Sequence, residues 1–414
     1  NLQLSTLMHI LIIHQAFAAL SEPGGTRHHE LARYLVQRGH RVTIIASPVS
    51  YITGDASPHV FAENGGGQGG GEPEIIRAYV YQAHHKSFVH RVFAFVSFMA
   101  SSFFVGLKVK DVDLIWGTSP PIFQGITAWA LSRLKRIPFL FEVRDLWPAF
   151  AISVGVLKNG ILIGASEWLE RFLYRAADRV MVNSPGYVTH VRGLGAKRVE
   201  LVPNGADAGM FAPAKKGESF RQFHSLKSKF VVLYAGAHGM SNDLGIVLGA
   251  AEILQEEKDI QIVLLGDGKE KATLQAQAEK MTLKNLSFIA SVPKSGMADA
   301  LAASDACIAI LKPIEWYKTT YPNKVFDYMA AGRPIALAID GVIREVVEAA
   351  GCGIFAEPGD AAALADALRA LAADPARSRE MGLAGRRYVE ENFDRTALAE
   401  QLMGILEEMV DGGT

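Results

Sequence analysis

Two cysteines, Cys307 and Cys352, are too few for a disulfide framework or a cysteine-ligated metal site, and they fit a reducing compartment. Charge of one sign is also lacking. The 42 basic residues are matched by 43 acidic ones, so no field is set up to attract nucleic acid. A nicotinamide-binding fingerprint is missing as well. Gly24-Gly25 lacks the third glycine, and Ile44-Ile45-Ala46-Ser47 offers no acidic residue at the end of the second strand. Asp111-Val112-Asp113 is an acidic pair, but it precedes a strand and so falls at the amino-terminal side; no residue cluster has metal spacing, and no cofactor or metal is expected. Met8–Leu20 is apolar without a basic region before it and contains His9 and His14. It reads as a buried first strand rather than a signal peptide, with residues 1–7 as an extension outside the fold.

No apolar run is long enough to cross a bilayer. Val92–Leu107 is sixteen residues without a charge. As a helix it covers about 24 Å at 1.5 Å per residue, against a hydrocarbon core of about 30 Å. Two readings stay open. Either the helix is buried on every face, or, flanked by Lys86, His90, Arg91, Lys108 and Lys110, it docks on a membrane. The docking reading predicts that Phe95→Ser with Phe98→Ser removes liposome binding.

What is present is an alternation of short apolar strands with helical segments, repeated twice. The chain is long enough for two cores. The first half has strands near His9–Ile13, Arg41–Ala46, Leu114–Trp116, Pro138–Glu142, Val180–Asn183 and Val199–Val202. The second restarts at Phe230–Ala235 and continues through Gln261–Gly266, Leu286–Ala290, Ala306–Ile310, Pro334–Ala338 and Gly353–Phe355. Helices between them imply parallel β-α-β units. The break falls at Pro203–Glu218, so the expected domains are 1–205 and 206–395, with a last helix within 396–414 packing back on the first. The fold class is therefore α/β, with two Rossmann-like parallel-sheet domains facing across a cleft at the carboxyl ends of their strands. Asn64–Gly71, six glycines in eight residues, reads as a flexible surface loop.

The stretch Tyr321–Ile335 carries the clearest chemistry. Pro322 can open a helix, Asn323 and Lys324 lie in its first turn where free N–H groups favour an anion, and Asp327 is one turn on, placed to accept a sugar hydroxyl. Gly332 stops the helix and Pro334 prevents its continuation. A diphosphate beside a ribose suits this turn. The loop Gly24-Gly25-Thr26-Arg27-His28-His29 similarly joins a strand to a helix and lets backbone approach phosphate. Arg144-Asp145 follows a buried strand, so that Asp145 can orient or deprotonate a hydroxyl and Arg144 can pair with phosphate or carboxylate.

In order and spacing these stretches resemble the family 4 glycosyltransferases of GT-B architecture. Val202–Asp207 matches the family's hinge, Leu264–Gly268 its second glycine turn and Pro322–Pro334 its donor helix. Val143–Pro148 is similar to the WbuB-like bacterial branch of amino-sugar transferases in surface-polysaccharide synthesis. The resemblance implies a retaining, metal-independent transfer from a nucleotide-diphosphate sugar, UDP-linked by preference, to a saccharide or lipid-linked saccharide acceptor. It implies a cytoplasmic enzyme at the inner face of the membrane.

By the same resemblance, donor-binding positions are Gly25, Thr26, Gly236, His238, Lys318, Thr320, Asn323, Lys324, Asp327, Ser291 and Val292. Asp145, Arg144 and His28 are the catalytic candidates, with His29 on the acceptor side. Three departures stand out. Thr319 occupies a usual glutamate position, and Ala237 and Asn242 occupy positions where relatives place an Arg and a Lys. A diphosphate then needs Gly236 and Gly239 N–H groups, with His238, Lys318 or Lys324 for charge. These departures keep two alternatives in view, a non-catalytic nucleotide-binding partner of a transferase and a nucleotide-sugar epimerase of the same fold.

Overall fold

A computed structural model describes residues 7–22, 24–49, 71–81, 88–215 and 217–412. Residues 1–6, Lys86 and the glycine-rich loop, apart from Gly71, lie outside them. The chain divides into two compact units: Asn1–Leu20, Gly24–Pro203 and Thr396–Thr414 form the first, Ser21–Pro23 and Asn204–Arg395 the second.

The first unit holds one parallel sheet in the order β3-β2-β1-β4-β5-β6-β7. Its strands are β1 (His9–His14), β2 (Arg41–Ala46), β3 (Glu74–Arg77), β4 (Leu114–Ser119), β5 (Phe139–Val143), β6 (Arg179–Val182) and β7 (Val199–Leu201). Strands β1, β4 and β5 are buried at every position, as a sheet covered on both faces requires. Alternate residues go to opposite faces. Ile10 and Ile12 pack with Leu31, Leu35 and, from the C-terminal helix, Leu398, Leu402 and Leu406. Leu11 and Ile13 pack instead with Phe98, Leu131 and Leu173. One face is thus covered by α1 (Arg27–Gln37) and the returning C-terminal helix. The other is covered by α2 (Phe88–Lys108), α3 (Phe123–Lys135) and, beyond the short α4 (Ala149–Ser153), α5 (Gly160–Ala176). Helix α6 (Val188–Gly193) leads to β7.

The second unit holds a six-stranded parallel sheet, β10-β9-β8-β11-β12-β13. Its strands are β8 (Phe230–Ala235), β9 (Ile260–Leu265), β10 (Leu286–Ile289), β11 (Ala306–Ile310), β12 (Ile335–Ala338) and β13 (Gly353–Phe355). After α7 (Glu218–Phe223), the helices are α8 (Leu244–Ile253), α9 (Lys271–Lys280), α10 (Lys294–Ala302), α11 (Asn323–Ala330), α12 (Val342–Ala349), α13 (Ala361–Ala373) and α14 (Pro375–Asn392). In α11, Pro322 is the extended residue just before the helix, and Gly332, at φ +66°, takes the left-handed turn that ends it. A side chain at 332 would also press on Pro213, 3.0 Å from its Cβ.

Two features differ from the sequence expectation. Strand β3 is an edge strand of four residues, Glu-Ile-Ile-Arg, whose charged ends hide it from an apolar-run criterion. Helix α2 is not buried on every face, and the pair chosen to test docking, Phe95 and Phe98, is not its exposed side. Phe98 is fully buried and Phe95 stacks on Phe123 at 5.5 Å, whereas Phe93 and Phe104 are 59% and 65% exposed. An all-apolar helix has no polar face to set its phase. Among the described residues no helix is long and apolar enough to cross a membrane.

Candidate active site

In the second unit the loops after β8 and β9 interlock. Gly236 N–H donates to Leu265 O at 3.0 Å and His238 N–H to Asp267 O at 2.8 Å. The approach is so close that a Cβ at Gly266 would lie 1.9 Å from Gly236 O, and one at Gly268 2.6 Å from His238 O. Only glycine fits either place. The result is a cradle of backbone around His238, which is fully buried with both ring nitrogens lacking a partner. Lys271 Nζ donates to Gly266 O at 2.8 Å behind it.

Lys324 enters this cradle from the first turn of α11. Its Nζ donates to Tyr234 Oη at 2.9 Å and Asn242 Oδ1 at 3.2 Å, and sits 4.1 Å from the centre of the Tyr234 ring. No carboxylate pairs with it among the described residues. Burial pushes its ammonium down to about 7. Burial, followed by the charge of Lys271, brings the His238 imidazole down to about 4. A lysine without a carboxylate at a glycine-lined turn favours an anion, which would restore its charge. The charge absent at Ala237 and Asn242 is therefore supplied from another element, with Asn242 serving as its anchor.

Asp327 is held differently from the sequence expectation. Both carboxylate oxygens accept from Lys294 Nζ at 2.7 Å, and Asn323 Nδ2 lies 3.4 Å from Oδ2. Asn323 Oδ1 in turn faces Arg395 at 3.4 Å. The carboxylate expected to meet a sugar hydroxyl thus sits in an ion pair within the unit. Lys318 is exposed and bonded to Glu315 at 2.9 Å, with Asp340 at 3.8 Å. Thr319 Oγ1 donates to Trp316 O at 2.6 Å, and Thr320 follows it half-buried. Ser291 and Val292 are half-buried between β10 and α10. The structure thus brings Gly236, His238, Lys324 and Asn242 together, with Asn323 and Asp327 on the same helix as Lys324. It spends Lys318 on carboxylates.

In the first unit the sequence-selected residues centre on a group that sequence reasoning missed, Glu142. It is fully buried at the carboxyl end of β5. Arg27 Nε donates to its Oε1 at 3.2 Å, Trp116 Nε1 to its Oε2 at 3.3 Å, and His28 Nε2 bonds its Oε2. Burial alone would raise this carboxyl, but His28, Arg27 and Arg144 outweigh it and keep Glu142 ionised. Arg27 also donates to Val202 O and Pro203 O, both at 2.7 Å, tying α1 to the end of the unit. The ring of His14 lies 4.2 Å from that of His28. His14 is buried with neither nitrogen partnered, and burial lowers its pKa well below the ordinary histidine value.

Arg144 and Asp145 do not pair with each other. Arg144 donates to Thr118 Oγ1 at 3.0 Å and Pro120 O at 2.9 Å, bracing the loop after β4. No hydrogen bond reaches the Asp145 carboxylate among the described residues, and burial, opposed by Arg144, raises it to about 6. His29 is held by Glu72 at 2.7 Å and by Leu20 N–H at 3.2 Å. Thr26 donates its hydroxyl to Glu30, while a Cβ at Gly25 would meet open space. Asp113 accepts from His9 N–H at 2.7 Å at the amino ends of β1 and β4, and no group of acidic, His or Cys residues suits a metal ion among the described residues.

The signal for Glu142 was a lone carboxylate in an apolar, wholly buried strand, which must be paired. Lys294 and Lys324 had no comparable signal, because Asp327 and Tyr234, to which they donate, lie on other elements.

Comparison with known proteins places these sites in context. The family model described as "Glycosyl transferase 4-like domain" matches residues 24–205, and "Glycosyl transferases group 1" matches residues 229–374. The chain is 22% identical over 387 residues to WcaI of Escherichia coli (strain K12), a protein named for colanic acid biosynthesis, covering 90% of this chain and 93% of that one. Sucrose-phosphate synthase from Thermosynechococcus elongatus superposes with a TM-score of 0.76 at 20% identity, over 98% of this chain and 100% of that one. Anabaena HepE in complex with UDP and glucose superposes with a TM-score of 0.73 at 17% identity, over 96% and 99%.

Proposed function

We propose that this chain, which belongs to the family 4 glycosyltransferases of GT-B fold, moves a sugar from a UDP-sugar to a saccharide acceptor carried on a lipid, retaining anomeric configuration and using no metal, in the synthesis of a bacterial surface polysaccharide. The observation that carries the reading is Lys324, a half-buried lysine without a carboxylate partner among the described residues, set in a glycine cradle beside His238. A diphosphate supplies the charge that this cradle lacks, and stabilising the departing nucleotide is the largest electrostatic contribution such a site can make. Uracil is favoured because HepE, of the same fold, was solved with UDP and with UDP-glucose. The polysaccharide assignment leans on the name of WcaI.

The donor is assigned to the second unit through Gly236, His238, Asn323 and Lys324. Asp327 contributes by fixing Lys294 and Asn323 rather than by standing free for ribose. On the acceptor side, His28 is oriented by Glu142, and Asp145, its carboxyl raised by burial to about 6, is matched to handling a hydroxyl proton. Lys324 supplies the charge that Ala237 and Asn242 lack, which weighs against the non-catalytic alternative.

A thermal-shift panel of UDP, GDP and ADP sugars tests this, because a bound donor raises apparent stability by mass action. UDP-sugars should stabilise the wild type and not Lys324→Met. Equal response of the two proteins would remove the assignment.

A further inference from the structure

Helices α2, α3 and α5 form one layer on the first unit's sheet. Thr127 Oγ1 of α3 donates to Met99 O of α2 at 3.0 Å, and Trp129 of α3 meets Phe172 of α5 edge-on at 4.9 Å. The inward face of α2 carries Ala94, Phe98 and Ser102, all buried. Its outward face carries Phe93, Val96, Ala100, Phe104 and Leu107, all exposed and spaced to lie along one side of the helix. Leu134 on α3 and Ile161 and Trp168 on α5 are exposed as well, Ile161 by 83% and Trp168 by 64%.

The charge on this layer is mostly basic, with Asp111, beside Lys110, its exposed carboxylate. Helices α2 and α3 contain no Asp or Glu. The two carboxylates of α5 are Glu167, half-buried, and Glu170, buried against Tyr174 and His190. Exposed cations are Lys108, Lys110, Arg133, Arg136, Arg171 and Arg175.

The geometry points to a membrane-docking face built from all three helices, whose occupant is a bilayer surface rich in anionic lipid. Phenylalanine, leucine and tryptophan side chains on helices lying flat, among arginines and lysines, match the apolar and anionic layers of such a surface. A second copy of the chain is disfavoured, because two such faces would bring cations against cations. The inference extends the lipid-linked acceptor reading but is tested without donor or acceptor, so either can fail alone.

Co-sedimentation of the full chain with vesicles of phosphatidylglycerol and phosphatidylcholine, beside pure phosphatidylcholine, reads it directly. The wild type should bind the mixed vesicles, more weakly at high salt and on pure phosphatidylcholine. Phe93→Ser with Phe104→Ser should weaken partition by about a hundredfold, at roughly tenfold per buried aromatic. Trp168→Ser should cost about tenfold, and Lys108→Gln with Lys110→Gln about tenfold or more. All sites are exposed, so circular dichroism and UDP binding should be unchanged. The inference is overturned if the wild type does not bind anionic vesicles, or if Phe93→Ser with Phe104→Ser binds as well as the wild type. It is also overturned if sedimentation velocity shows a dimer that those substitutions dissolve. If α2 variants lose binding but Trp168→Ser does not, the three-helix face is wrong.

Discussion

The two units carry polar clusters at the same place in the fold, the carboxyl ends of a parallel sheet, yet their electrostatics are opposite. In the first unit, Glu142 is neutralised from within by Arg27 and His28. In the second, Lys324 has no carboxylate partner among the described residues, the ring nitrogens of His238 have no hydrogen-bond partner, and the carboxylate on α11, Asp327, is taken by Lys294. A cluster balanced internally stabilises its unit and needs no ligand. A cluster whose lysine lacks a carboxylate holds its charge poorly until an anion arrives. The proposal of a diphosphate site in the second unit rests on that contrast more than on any single motif.

The largest expected effect is on the balanced side. Glu142→Ala removes the carboxylate that balances the buried Arg27 and should cost about 3–5 kcal/mol of stability, read as a lower unfolding temperature with UDP affinity of the residual folded protein unchanged. Next comes the unbalanced side, with the reverse pattern. Lys324→Met removes a half-buried lysine that has no carboxylate partner among the described residues, so ligand-free stability should hold or rise, while UDP affinity falls by about 1.5–3 kcal/mol, the worth of a charged hydrogen bond. If both substitutions lower stability alike, the contrast between the units is wrong.

Acid sharpens the comparison. His14 and His238 have folded pKa values below the unfolded value of about 6.5. The unfolded chain therefore binds more protons there, and stability should fall as pH drops below about 6.5. His14→Gln should reduce that slope with or without ligand. Bound UDP, by favouring protonated His238, should reduce it in the second unit only. The smallest effect is kinetic: turnover should decline as Asp145 protonates below about 6, and Asp145→Asn should lower turnover and lose that limb.

Much of this was legible in the sequence because the central strands are continuous apolar runs punctuated by glycine. The helix Asn323–Ala330 was legible because Pro322 and Gly332 bracket it. What was hidden depends on long-range pairing. Nothing near Asp327 announces Lys294, and nothing near Asn242 announces that a lysine from α11 would come to it. Glu142 read as the end of a strand because its three partners lie on other elements. The orientation of α2 was hidden for the opposite reason, an excess of equivalent apolar side chains.

The most direct test is calorimetric titration of UDP into the wild type and Lys324→Met in buffers of different ionisation enthalpy, from below pH 7 to above it. With the Lys324 ammonium near 7 when free, phosphate binding should take up a proton above that pH, and affinity should weaken as pH rises. Lys324→Met should bind more weakly with no such uptake. Equal affinity of the two proteins, with no proton uptake by the wild type above pH 7, would contradict the assignment of the diphosphate to this cradle.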